Sequence, residues 1–410
     1  MKPLTIGVEA TAAGSAGAEK HGVYRYIHQL LLGFKAINEP HRFRLWFNAF
    51  RRSQRNSIQD FLSGIDWPQV ESAVSVFPPR IRRRLKMPID KAIGPVDLFH
   101  GPTHILPYFR NIKTVVTIHD LAFFKMSEPI LQLNPDWCDA IKKRSHCPKT
   151  DLLSYRSRCD FFLNLRKEVP EALARADRII AVSNATAKDL VSLTGVPEAK
   201  ISVIPNGLTP NMSPVKDELL IRSTLSSLGI KKHYILYVGV LDPNKNLHTL
   251  ISAFAQTSAM FRGQYQLVIA GPRNWFQSVL EEEAERLGIK ELIRFTGYVS
   301  DEILPVLYSG AVLSVSPSPL EGFGFPVIES MACGTPVIIV NAGALPEIAG
   351  DAAIRVEPKD TQALASEIER LAKDPVLHKD IANRGFVQCR NFSWDISARS
   401  TLDVYTEVAG

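Results

Sequence analysis

Ser316-Pro317-Ser318-Pro319-Leu320-Glu321-Gly322-Phe323-Gly324-Phe325-Pro326-Val327-Ile328-Glu329-Ser330-Met331-Ala332-Cys333-Gly334-Thr335-Pro336 is the most informative stretch of this 410-residue chain. A strand-like run at 311–314 precedes it and another at 336–340 follows, so it reads as a strand-to-helix connection in an α/β fold. Pro326 suits a first helical turn, and the glycines before it let backbone amides approach a ligand, where a phosphate would meet the helix dipole. Glu329 is expected in that first turn, favoured by the dipole and turned to the same ligand, whose vicinal hydroxyls it would accept. Sugar or ribose hydroxyls fit that description.

Outward from this segment the same alternation continues. Residues 234–238, 266–270 and 293–296 also read as strands, with helices beginning near Leu247, Trp275, Asp301 and Pro326. Toward the N-terminus, strands are expected at 4–8, 43–47, 96–99, 114–118, 178–182 and 201–204. Between the first two, Val23, Ile27, Leu30, Leu31 and Phe34 form one apolar helical face. Two doubly wound, mostly parallel sheets covered by helices follow. Pro205-Asn206-Gly207, Pro210 and Pro214 break both periodicities, giving domains over 1–204 and 205–392, with a tail helix over 393–410. Gly207 is expected to supply a positive φ in this hinge. Residues 127–169, with Pro129, Pro135 and Pro148, form a long insertion after a strand; it either shapes an acceptor site or is a peripheral helical excursion.

At 45% hydrophobic and 22% charged, the composition is that of an ordinary folded protein with a buried core in each domain. No apolar run approaches the roughly 18 residues of a membrane span, and no basic and apolar leader opens the sequence, so a cytoplasmic location is expected. Cys138, Cys147, Cys159, Cys333 and Cys389 are odd in number and contain no CxxC pair, which predicts reduced thiols and no metal. Residues 1–200 hold 30 Lys+Arg against 19 Asp+Glu, leaving 18 against 23 for the rest. The run from Arg80 to Lys86, with cations among apolar residues, could rest on an anionic membrane at its inner face; a solvated loop explains it equally well.

The quoted stretch resembles the signature of the retaining glycosyltransferases of family 4, which have the GT-B fold: two glutamates separated by seven residues around Gly-Phe-Gly. The resemblance implies two Rossmann-like domains facing across a cleft, with the last helix crossing back to the first domain, as Phe392-Ser393-Trp394 also suggests. It implies that Glu321 contacts the transferred sugar, that Glu329 holds the nucleotide ribose, and that Gly322, Phe323 and Gly324 approach sugar and diphosphate through their backbone. In Tyr237-Val238-Gly239-Val240-Leu241-Asp242-Pro243-Asn244-Lys245, Gly239 would touch the donor and Lys245 would neutralise the departing diphosphate. Family members commonly carry a second basic residue just after that glycine or just before that lysine; here Val240 and Asn244 stand there. Arg273, at the next strand's end, is a candidate substitute.

In the first domain the resemblance makes His119 a donor-sugar contact and Asp120 a secondary candidate near the acceptor. In the loop from Gly14 to Tyr26, Gly22 and Arg25 are candidates for donor or acceptor contact, although the family's usual paired glycines are reduced to Gly22. The implied reaction moves a sugar, from GDP-mannose or a UDP-sugar, to a glycan or lipid-linked acceptor in polysaccharide or glycolipid assembly. It proceeds with retention, without metal or cofactor and without nucleic acid as partner. An epimerase, hydrolase or phosphorylase on the same fold is the nearest alternative. A dehydrogenase is disfavoured by the lack of Gly-x-Gly-x-x-Gly after a strand. A non-catalytic membrane or nucleic-acid binder accounts only for the basic half.

Overall fold

Thirteen parallel strands organise the described chain into two sheets, one of seven and one of six strands. The structure is a computed structural model describing residues 3–15, 22–49, 53–77, 81–82, 85–126 and 134–410. Its contacts divide the chain into two compact units, Met1–Leu121 with Leu165–Gly207 and Phe392–Gly410, and Ala122–Asn164 with Leu208–Asn391. The inserted segment thus clusters with the second unit, although it interrupts the sequence of the first.

In the first unit the strands β1 (Thr5–Glu9), β2 (Arg42–Asn48), β3 (Val70–Ser75), β4 (Leu98–Gly101), β5 (Lys113–Ile118), β6 (Arg178–Ala181) and β7 (Ile201–Val203) lie in the order 3-2-1-4-5-6-7. The central ones are apolar on both faces because helices cover both, as a parallel sheet requires; β4 is buried at every position and β5 everywhere after Lys113. The edge strand β3, Val-Glu-Ser-Ala-Val-Ser, escapes sequence reading because five of its six residues are half-buried or exposed.

The tail helix Trp394–Ala409 packs on Gly22–Ile37 in this unit. Gly33 makes the crossing close: a Cβ there would lie 2.8 Å from that of Ala398. Gly207 corrects an expectation, since it has no positive φ. Its reason is proximity, because a Cβ would sit 2.3 Å from the Trp394 backbone nitrogen. Ser397 Oγ donates to the Pro205 carbonyl at 2.5 Å and fastens the tail beside the hinge.

In the second unit β8 (His233–Val238), β9 (Tyr265–Ala270), β10 (Ile293–Gly297), β11 (Leu313–Ser316), β12 (Val337–Val340) and β13 (Ile354–Val356) run in the order 10-9-8-11-12-13. The order reverses between β8 and β11, so the loops leaving their carboxyl ends diverge and open a crevice, the place where ligands bind in open α/β sheets. Among the described residues no helix is long and apolar enough to cross a membrane, and the five cysteines are all unpaired.

A buried polar chain anchors the tail in the first unit. His100, fully buried, bonds Tyr405 OH through Nδ1 at 2.6 Å and Thr117 Oγ1 through Nε2 at 2.7 Å, and Thr117 Oγ1 also meets Tyr26 OH at 3.0 Å. Burial, and then the neighbouring His119, hold His100 down at about 3. The native state therefore keeps His100 neutral while the unfolded chain takes up its proton near pH 6.5. Stability is fully present above that value and is lost as pH falls toward about 3, at roughly 1.4 kcal/mol per pH unit for this one group. His100→Asn should be less stable than wild type at pH 8 yet lose less between pH 6.5 and 4.5; melting curves of the two that shift in parallel over that range would refute the assignment.

Candidate active site

The loops after β8 and β11 are stitched together at the switch point. After Gly239, at φ 154°, the chain reaches a single 3-10 turn, Pro243–Lys245, whose N-cap Asp242 accepts the Asn244 amide at 3.1 Å through Oδ1. Asn246 then takes the left-handed conformation at φ 57° and starts the helix Leu247–Gln256. From this turn Asn246 Nδ2 donates to the Pro317 carbonyl at 3.1 Å, and Ser318 Oγ returns a bond to the Asn244 carbonyl at 3.2 Å. Between these two ties the Lys245 ammonium meets Glu321 Oε1 at 2.7 Å, both side chains about one-fifth exposed. The two residues predicted to serve the diphosphate and the sugar are thus an ion pair facing the crevice.

Glycines determine how close the backbones come. A Cβ on Gly271 would overlap the Gly239 carbonyl oxygen at 1.9 Å, and Asn274 Nδ2 holds the Leu241 carbonyl at 2.7 Å, so the loops after β8 and β9 form one layer. Arg273 lies in that second loop, exposed. Gly324, at φ 97°, caps the helix Phe325–Ala332. Gly322 and Phe323 are buried, the Phe323 ring edge-on to Phe325 at 5.2 Å, so this segment offers its backbone rather than the aromatic side chain.

Glu329 departs from its expected place. Because the helix opens at Phe325, Glu329 is its fifth residue, past the first turn, and only 1% exposed. Oε1 accepts from Thr209 Oγ1 at 2.6 Å and Oε2 from Tyr308 OH at 3.2 Å. Buried polar groups need hydrogen-bond partners, and two hydroxyls supply them here. Sequence reading missed both partners: Thr209 lies in the irregular hinge and Tyr308 on a short helix, neither with a periodic signal.

In the first unit His119 follows β5 directly and is half-buried. Its Nε2 lies 2.9 Å from the Pro102 carbonyl. A carbonyl only accepts, so Nε2 carries the hydrogen and Nδ1 is the acceptor nitrogen. Burial foremost, then the neighbouring His104, lowers His119 to about 4, so the ring is neutral at physiological pH. His104 donates from Nε2 to the Asp120 carbonyl at 2.8 Å, fixing the backbone beside it, and the Tyr26 ring meets His119 edge-on at 4.8 Å. A neutral imidazole with a fixed acceptor suits a hydroxyl donor.

The remaining candidates fall less centrally. Gly22 is the exposed first residue of the helix Gly22–Ile37, and Arg25 is half-buried on it; the loop residues 16–21 that precede them lie outside the described residues. So do residues 80, 83 and 84 of the basic run. Of its described members, Arg82 bonds Ser75 Oγ at 2.5 Å and stands over Trp46 and Phe77, and Lys86 pairs with Glu171 at 2.6 Å. Both cations are held within their own unit. Among the described residues no three His, Cys, Asp or Glu side chains form a group able to hold a metal.

Comparison with known proteins gives the family. A family model described as "Glycosyltransferase Family 4" matches residues 21–211, and one described as "Glycosyl transferases group 1" matches residues 226–388. The O-antigen chain mannosyltransferase B of Escherichia coli is 30% identical over 315 residues, 75% of this chain and 74% of that protein. Sucrose-phosphate synthase from Thermosynechococcus elongatus superposes with a TM-score of 0.70 at 21% identity over 99% of both chains. HepE of Anabaena in complex with UDP and glucose gives 0.69 at 19% over 98% of this chain and 100% of its own. With a family 4 match over the first sheet, a group 1 match over the second and a mannosyltransferase relative spanning most of both, the chain belongs to the group 1, family 4 glycosyltransferases.

Proposed function

We propose that this glycosyltransferase moves mannose from GDP-mannose to a glycan or lipid-linked acceptor of a growing polysaccharide, retaining the anomeric configuration and using no metal. The observation that carries the reading is the Lys245–Glu321 pair at the switch point of the second sheet. A preorganised ammonium at this switch point stabilises the charge that develops as the diphosphate leaves, the task a divalent cation performs elsewhere. When the donor binds, Lys245 exchanges its carboxylate partner for phosphate, and the released Glu321 accepts hydroxyls of the sugar. Glu329, oriented by Thr209 and Tyr308, takes the ribose hydroxyls from the depth of the site; each carboxylate oxygen can accept more than one hydrogen bond.

No side chain assigned here is a covalent nucleophile, which supports same-face attack: the acceptor oxygen forms its bond to the anomeric carbon as the bond to the diphosphate breaks, and a donor phosphate oxygen takes the acceptor proton. The mannosyltransferase relative supports mannose as the transferred sugar, and HepE, solved with UDP and glucose, makes UDP-sugars the natural comparison.

Two measurements test this reading. In a thermal-shift panel of GDP-, UDP- and ADP-sugars, GDP-mannose should raise the melting temperature most, since a native-state ligand at 100 times its Kd adds about 2.7 kcal/mol; no shift with any of them would end the proposal. Transfer should fall by about 100-fold or more in Lys245→Ala, survive chelation by EDTA undiminished, and give a product with the donor's anomeric configuration by NMR. A chelator-sensitive rate or an inverted product would each overturn the corresponding part.

A further inference from the structure

The insertion supplies what the phosphate loop lacks. Helix Pro148–Arg175 places Tyr155, Arg158 and Phe162 on one face, at spacings of three and four residues, and each meets the second unit. Tyr155 stacks on Trp275 at 4.2 Å between ring centroids. Phe162 packs with Ala122, Met126 and Leu320, the last directly before Glu321. Between them Arg158 forms a two-pronged ion pair with Asp242, Nε to Oδ2 at 2.5 Å and Nη2 to Oδ1 at 2.7 Å, and its guanidinium lies 4.8 Å from the Phe162 ring. These side chains are 9% and 16% exposed, which makes this the most enclosed Lys or Arg ion pair among the described residues of the unit. Trp137, on the inserted helix Pro135–Arg144, adds contacts to Trp275 at 6.0 Å and Phe276 at 5.6 Å.

The charges give this contact its meaning. Asp242 caps the turn that presents Lys245, a task its carboxyl oxygen performs by accepting the Asn244 amide. The same carboxylate brings a negative charge to a place meant for a diphosphate. Its reach is visible at Tyr237, whose hydroxyl is pushed well up by burial and then by the Glu321 and Asp242 carboxylates together. Asp242, Glu321 and Lys245 alone sum to one negative charge; Arg158 brings the set to neutrality before any ligand arrives. Val240 and Asn244 leave the loop itself without a second cation.

We propose that Arg158, carried by the insertion, is a positioning residue of the donor diphosphate site: by cancelling the Asp242 carboxylate it leaves the Lys245 charge available to a nucleoside diphosphate. The inserted helices are then part of the donor half rather than an acceptor element. This inference rests on the donor reading given above.

The test uses the full-length protein and calorimetric affinities for GDP and GMP, with UDP and UMP in parallel. Arg158→Gln should weaken GDP roughly tenfold or more and GMP less than about twofold, because the unmasked carboxylate opposes the added phosphate. Arg158→Lys keeps the charge and should lose less, and Asp242→Asn introduced into Arg158→Gln should recover most of the diphosphate affinity. Equal losses of GDP and GMP, or no recovery in the double variant, would show a purely structural contact and overturn the proposal. Lys245→Gln separates the two levels of inference. If it weakens GDP while Arg158→Gln does not, the role of Arg158 falls and the donor site stands; if it leaves both nucleotides unaffected, the donor reading fails and takes the proposal with it.

Discussion

A parallel sheet whose strand order reverses has one place where neighbouring strands send their chains apart, and here that place lies between β8 and β11. Something must define the width of the gap. The pair between Lys245 and Glu321, flanked by the Asn246–Pro317 and Ser318–Asn244 bonds, does so with groups that also have chemistry to offer. An ammonium and a carboxylate about one-fifth exposed attract each other more strongly than a fully solvated pair. They nevertheless remain within reach of a ligand that can replace either partner. A phosphate competes for the cation and a hydroxyl for the anion, so one ligand carrying both satisfies what it separates.

Around this pair the burial is graded. Glu321 is reachable, whereas Glu329 lies deep, its oxygens met by Thr209 and Tyr308. Two carboxylates eight positions apart are therefore held differently: one is ion-paired and partly exposed, and the other is held in a fixed direction by hydroxyls from separate elements. In the first unit His119 is held comparably, its Nε2 hydrogen committed to Pro102 and its ring kept neutral mainly by burial.

Much of this was legible in the sequence because parallel strands buried on both faces appear as short apolar runs, and because glycine and proline at 322–326 leave few conformations open. Glu321 was named through the family resemblance of two glutamates around Gly-Phe-Gly, and Lys245 through its place at the end of a strand-to-helix loop of the same pattern. The edge strands β3 and β13 were not found, since exposed positions dilute their pattern. Glu329 was placed in the first turn because the helix start was set at Pro326; the start at Phe325 makes it the fifth residue, just past that turn. Gly207 was given a conformational reason when its reason is the Trp394 backbone, nearly the whole remaining sequence away.

The insertion was the least readable segment for a further reason: its partners are distant in the chain. Arg158 finds Asp242 across 84 positions, and Tyr155 finds Trp275 across a longer span still. On its own the helix Pro148–Arg175 reads as a mixed, basic stretch without a clean apolar stripe, because its first half packs through Tyr155, Arg158 and Phe162 and only its second half buries aliphatic residues such as Leu165, Val169 and Leu173. Such a face is poor at signalling burial and good at combining it with charge. The aromatic neighbours shield the guanidinium from water, and reduced solvation lets its pairing with Asp242 persist where a fully exposed pair would contribute little. A basic segment added outside the second unit's own stretch of sequence thereby supplies the cation that its phosphate loop does not encode.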